Sequence, residues 1–166
     1  MRKIFYIAMA SGLMIASDLT LDEMLEGKYQ LAKSYRSDKK IDSCLNQLFQ
    51  IKEDYLKANF DIASIYYQDY KNYDVATYFF DLIIEKYESS NDDKFLIENR
   101  DTYKNSVFFS AYIYINDLEL YSKGVNRYQN FINKFPDDEL ADDAMHELKA
   151  LSKQINQIDL LKNNLK

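Results

Sequence analysis

His146 is the only histidine in the chain, and Asp142, Asp143 and Glu147 stand beside it. That grouping is the nearest the sequence comes to a metal site. A transition metal would ask for further imidazole or thiolate ligands, and there is no second histidine to supply one. The single cysteine, Cys44, has no zinc-ligand spacing and lies in an apolar stretch, so it reads as a buried packing residue and not as a nucleophile. Asp137, Asp138 and Glu139, with Asp142 and Asp143, carry enough carboxylate for calcium but lack a glycine-bearing loop. They suit the first turn of a helix, where acids meet the positive end of the macrodipole. Ser106 and Ser110 stand near no histidine, and there is no Gly-rich phosphate loop. The sequence therefore predicts a non-enzymatic protein with no catalytic residues, no cofactor and no metal, and puts His146 on a solvated helix face.

Apolar residues recur at spacings of three and four along almost the whole chain, which is the period of amphipathic helices. Three Gly and one Pro leave few places to break a helix. The first helix spans Leu19 to Arg36, with Thr20 and the acids Asp22 and Glu23 at its start. A second carries Ile41 to Ile51, and a turn follows around Asp54 to Lys57. The third carries Phe60 to Tyr67 and the fourth Tyr73 to Ile84. A longer fifth runs from about Asp93 to Asp117. The sixth carries Tyr121 to Ile132 and is stopped at Pro136. The seventh begins near Glu139 and keeps its stripe to Ile158, leaving residues 159–166 as a frayed tail. No strand pattern is present. Tyrosine supplies 15 residues and tryptophan none, so most tyrosines must fill helix seams with the ring buried and the hydroxyl wet. This is an all-α chain of about seven antiparallel helices.

The net charge of −6 disfavours nucleic acid, which needs a basic face for its phosphates. Residues 1–17 have the layout of a secretory signal peptide: Arg2 and Lys3, then an apolar run from Ile4 to Ala16, then Asp18. That run is short of the roughly 20 residues of a membrane span. The mature chain is expected to contain no integral span, and no cysteine follows the run to anchor a lipid. The other reading of the segment is an apolar N-terminal helix packed on the core of a cytosolic protein.

Three stretches can be laid over one another. Phe60, Ala63, Ser64 and Tyr67 are followed by Tyr73, Ala76, Phe80 and Ile83. An earlier copy has Leu31, Ala32 and Tyr35, then Ile41, Cys44, Leu48 and Ile51. A later one has Phe108, Ala111 and Tyr112, then Tyr121, Gly124, Tyr128, Phe131 and Pro136. This pattern resembles the tetratricopeptide repeat (TPR) over about residues 25 to 150. The small residues Cys44, Ala76 and Gly124 let paired helices approach closely. They lie 32 and 48 positions apart. A tetratricopeptide repeat is about 34 residues, so about 14 extra residues fall near 89–102, read as a loop plus extra turns on the fifth helix. The resemblance implies a right-handed TPR-like solenoid over residues 18–158, with about three repeats and a C-terminal capping helix.

A narrower likeness lies at Phe135-Pro136-Asp137-Asp138-Glu139-Leu140-Ala141-Asp142-Asp143-Ala144, continuing to Leu148. It is similar to a stretch in exported bacterial repeat proteins, such as the BamD-type component of outer-membrane barrel assembly and the periplasmic TolA-binding protein. What this implies is a periplasmic scaffold of the cell envelope that binds envelope proteins, in outer-membrane assembly, Tol–Pal function or a larger machine. The alternative is a cytosolic TPR-type secretion chaperone. In such repeats the first helix of each pair lines the concave face. Carried over by position, that face presents Tyr29, Lys33 and Arg36, then Asp61, Ile65, Gln68 and Asp69, then Phe109, Ile113 and Asn116. Ile65 and Ile113 also fit simple packing against neighbours.

Overall fold

The computed structural model describes residues 4–7 and 16–164, and its described helices number seven. They are α1 Leu21–Ser37, α2 Ile41–Phe49, α3 Leu56–Gln68, α4 Tyr73–Glu88, α5 Asp93–Asn116, α6 Tyr121–Lys134 and α7 Glu139–Asn164. Among the described residues the strands are an antiparallel pair, β1 Ile4–Ile7 with β2 Ala16–Leu19, in which Ile4 pairs with Leu19. The helical periodicity that organises the rest of the sequence carries no hint of that pair. The centre of the apolar start, residues 8–15, lies outside the described residues, as do residues 1–3 and 165–166. Among the described residues no helix is long and apolar enough to cross a membrane.

Local chemistry sets the helix starts. At α1 the Glu23 N–H donates to Thr20 Oγ1 (3.2 Å) and the Thr20 N–H donates back to Glu23 Oε2 (2.8 Å), a reciprocal cap. Asn72 Oδ1 accepts from the Val75 N–H at α4. Asp92 Oδ1 accepts from the N–H groups of Lys94 and Phe95 at α5. Capping by Asp92 accounts for the insertion near 89–102: most of it is added turns at the start of α5, after a short link. Phe95, in those turns, packs beside Tyr87 at 6.5 Å. At the other end, α7 continues to Asn164, beyond the point where the sequence pattern fades. α3 begins at Leu56 because Leu56 and Ala58 are buried and extend its apolar face backwards past Phe60.

Successive helices pack on one another, and α3 also packs on α5. The backbone repeats itself where the hairpins turn. Lys39, Lys71 and Glu119 all have positive φ (60°, 51° and 54°), and each stands two residues before the next helix. These positions repeat at the same intervals as Cys44, Ala76 and Gly124. The α3–α4 and α5–α6 turns also share hydrogen bonds. Asp69 N–H donates to the Ile65 carbonyl as Asp117 N–H does to Ile113, and Asn72 N–H to Tyr66 as Leu120 N–H does to Tyr114. Two cores result. One joins α1 to α4 and takes in Ile113 of α5. The other joins α5, α6 and α7 through Phe108, Tyr128, Phe131, Ala141 and Ala144.

Candidate partner-binding groove

Equivalent positions on α1, α3 and α5 open onto two adjoining clefts. The first, about 270 Å³, lies between α1 and α3 and is lined by Lys33, Arg36, Ser37, Cys44, Asp61, Ser64, Ile65 and Gln68. The second, about 490 Å³, continues across α3 and α5 to α7. Its walls include Phe60, Ser64, Tyr67, Gln68, Phe109, Tyr112 and, from α7, Asp143, His146 and Glu147. Ser64 and Gln68 border both, so the two clefts form one groove.

The residues expected from repeat position divide in three ways. Lys33, Arg36, Asp61, Gln68 and Phe109 line the groove with accessible side chains. Ile65 and Ile113 lie beneath it at 2% and 1% exposure, so they are floor and core together. Tyr29, Asp69 and Asn116 line neither cleft. The Tyr29 ring packs on Tyr55 at 5.0 Å, Asp69 forms an ion pair with Arg36, and Asn116 donates to the Tyr112 carbonyl. Sequence reasoning missed Phe60, Ser64, Tyr67 and Tyr112. Ser64 and Tyr112 lie three residues beyond Asp61 and Phe109, so helical spacing alone could have found them. The α7 wall had no such signal, because it depends on where the last helix docks.

The groove changes character along its length. At the α1 end Arg36 holds Asp69 and donates to Gln68 Oε1 (3.1 Å). Burial holds the Asp61 carboxyl above its usual range, while a Tyr29 hydrogen bond and the charges of Lys33 and Arg36 pull the other way. Burial also raises the Cys44 thiol, keeping it protonated and unreactive. In the middle the surface is aromatic. Phe60 stands 5.4 Å from Phe80 and 6.1 Å from Phe109, and Phe109 is 43% exposed.

Another cleft, about 730 Å³, opens between α4, α5 and α6 and is larger. Most of its ionic groups are occupied with one another, and Lys123 lies over the Tyr114 ring at 5.3 Å. Arg127 pairs with Asp81 (2.5 Å) and donates to Ser110 Oγ (2.7 Å), while the Tyr114 hydroxyl donates to Asp81 (2.9 Å). Lys134 donates to the Tyr103 hydroxyl, which itself donates to Glu88. These links brace α4 to α6 across α5.

Ser106 and Ser110 are fully buried and donate to the carbonyls of Thr102 and Ser106. Neither is placed to attack a substrate. His146 is exposed on α7, and among the described residues no three His, Cys, Asp or Glu side chains gather to hold a metal ion. No protein-family model matches the chain, and no curated protein matches it either.

Proposed function

We propose that this protein is a non-enzymatic scaffold, a TPR-like right-handed solenoid that docks another protein in the groove across α1, α3 and α5. One observation carries the reading. Positions equivalent by repeat spacing on three successive hairpins line a single continuous groove bordered by Ser64 and Gln68. Stacked helix pairs build extended surfaces of this kind, and such surfaces suit peptides better than small substrates. The repeated positive-φ turns support the assignment to one repeated unit.

The reading places the protein in the periplasm, exported by residues 1–17. It rests there on the basic-then-apolar start and on the Phe135-to-Leu148 stretch, and the partner is then an envelope protein. Fractionation tests the location: a cytosolic protein that keeps Met1 sinks the exported version and favours a secretion chaperone. Capture tests the groove. Immobilised protein is compared with an Asp61→Lys/Phe109→Ala variant of unchanged helicity, using envelope extract. Loss of a protein recovered by the unaltered chain is the expected result, and equal recovery by both removes the groove assignment.

A further inference from the structure

At one place in the groove, two acidic side chains have no ion-pair partner among the described residues. Asp143 and Glu147 lie one turn apart on α7 and, with His146 between them in sequence, line the 490 Å³ cleft. Neither carboxylate has an ion-pair partner among the described residues. Among the described residues no lysine or arginine lines this cleft: α3 supplies Phe60, Ser64, Tyr67 and Gln68, α4 supplies Phe80, and α5 supplies only apolar and tyrosine side chains. The same cleft is lined by half-buried Phe60 and by exposed Phe109, on which Phe80 stacks at 6.5 Å.

An apolar floor and an uncompensated acidic wall in one cleft select a definite kind of occupant. We infer that the α3–α5–α7 cleft receives an amphipathic segment of a partner protein, its apolar side chains on Phe60 and Phe109 and its lysines or arginines against Asp143 and Glu147. The volume of about 490 Å³ falls inside the roughly 300–1,000 Å³ range of sites that enclose compact ligands, enough for a few large side chains. A segment is favoured over a free small molecule because the cleft runs on, past Ser64 and Gln68, into its neighbour. A second copy of this chain is disfavoured, since its net charge of −6 would meet the same acids. The inference rests on the docking function proposed above and adds the charge and polarity of the partner.

Two dye-labelled helical peptides of about 16 residues test it, sharing one Leu/Phe stripe and differing only in a flank of lysines or of glutamates. Fluorescence anisotropy is read with the full chain at low salt. The lysine peptide is expected to bind about tenfold or more tightly than the glutamate one, a difference that shrinks as salt screens it. Asp143→Lys/Glu147→Lys should remove most of that preference. These side chains sit at the surface, so folding should persist, and Asp143→Asn/Glu147→Gln gives an intermediate effect if charge is the cause. Phe109→Ala should weaken both peptides alike. If Phe109→Ala weakens binding while the α7 charges have no effect, the docking groove stands and the basic-partner inference falls. If neither substitution matters, or neither peptide binds, both fall.

Discussion

Gly124 on α6 lies against the backbone of Ala111 on α5, and a Cβ built on Gly124 would stand 2.8 Å from the Ala111 carbonyl oxygen. The same Cβ would collide with the Ile115 side chain. This crossing closes the third hairpin, whose first helix carries Phe109 and Tyr112 into the groove.

Gly124→Ala should therefore destabilise the protein by about 1–3 kcal/mol, the usual cost of overpacking. Gly27 is the control. It is exposed on α1, and a methyl added there would meet nothing within 4 Å, so Gly27→Ala should stabilise by roughly 0.5–1 kcal/mol through helix propensity alone. Urea denaturation of both variants reads the two signs, and a stable Gly124→Ala protein would remove the close-crossing argument.

Lys71 and Glu119 hold left-handed backbone without being glycine. Their Cβ atoms cost about 1 kcal/mol each in that region. Lys71→Gly and Glu119→Gly should each raise stability by up to about 1 kcal/mol after the added freedom of the unfolded chain is subtracted. A fall in Tm for both would mean that these turns do not have the repeated conformation.

Tyr128 is fully buried, and its hydroxyl has no hydrogen-bond partner among the described residues. Burial drives its ionisation far above the ordinary tyrosine range. An orphaned buried hydroxyl costs about 1–3 kcal/mol, while the ring fills the α5–α6 seam beside Phe108 at 5.3 Å. Tyr128→Phe keeps the ring and removes the cost, so the variant should melt at the same temperature or higher. Tyr128→Ala should lose about 3–5 kcal/mol by opening a cavity.

Two aspartates should give opposite pH dependences. Asp61, raised by burial, binds its proton more tightly folded than unfolded, so its contribution to stability falls as pH rises above the ordinary value of 3.8. Asp138 accepts a hydrogen bond from Lys104 (2.6 Å), which holds it below 3.8. Its contribution is therefore present above that value and lost as pH falls through its lowered pKa. Asp61→Asn should gain on the parent protein as pH rises from about 4 to 7, whereas Asp138→Asn should trail it at neutrality and draw level in acid. Chemical denaturation from about pH 2 to 7 separates the two, and parallel profiles would refute both assignments.

The helices and their order were legible because the apolar residues keep a period that only a helix can present on one face. Cys44, Ala76 and Gly124 marked the hairpins for the same reason, since close crossings demand small side chains wherever they occur. The start of α3 lies ahead of the visible stripe because Leu56 and Ala58 are buried by neighbours that the local pattern does not contain. Lys39, Lys71 and Glu119 gave no sign of left-handed backbone, because neither residue type advertises it. The pairing of Ile4–Ile7 with Ala16–Leu19 was invisible to helical periodicity for a similar reason: strand pairing depends on a partner.

The groove divides along the same line. Lys33, Arg36, Asp61, Gln68 and Phe109 follow from their position within each copy, a property of sequence alone. The burial of Ile65 and Ile113 was decided by how the stacked helices close over them. The acidic wall was decided by tertiary structure entirely. In sequence, Asp143 and Glu147 are carboxylates on a solvated helix face. Ala141 and Ala144 seat α7 in the second core, and that seating brings the two acids to the cleft that Phe60 and Phe109 also line. The period of one helix can say which residues share a face, but what that face meets depends on packing between helices distant in the chain.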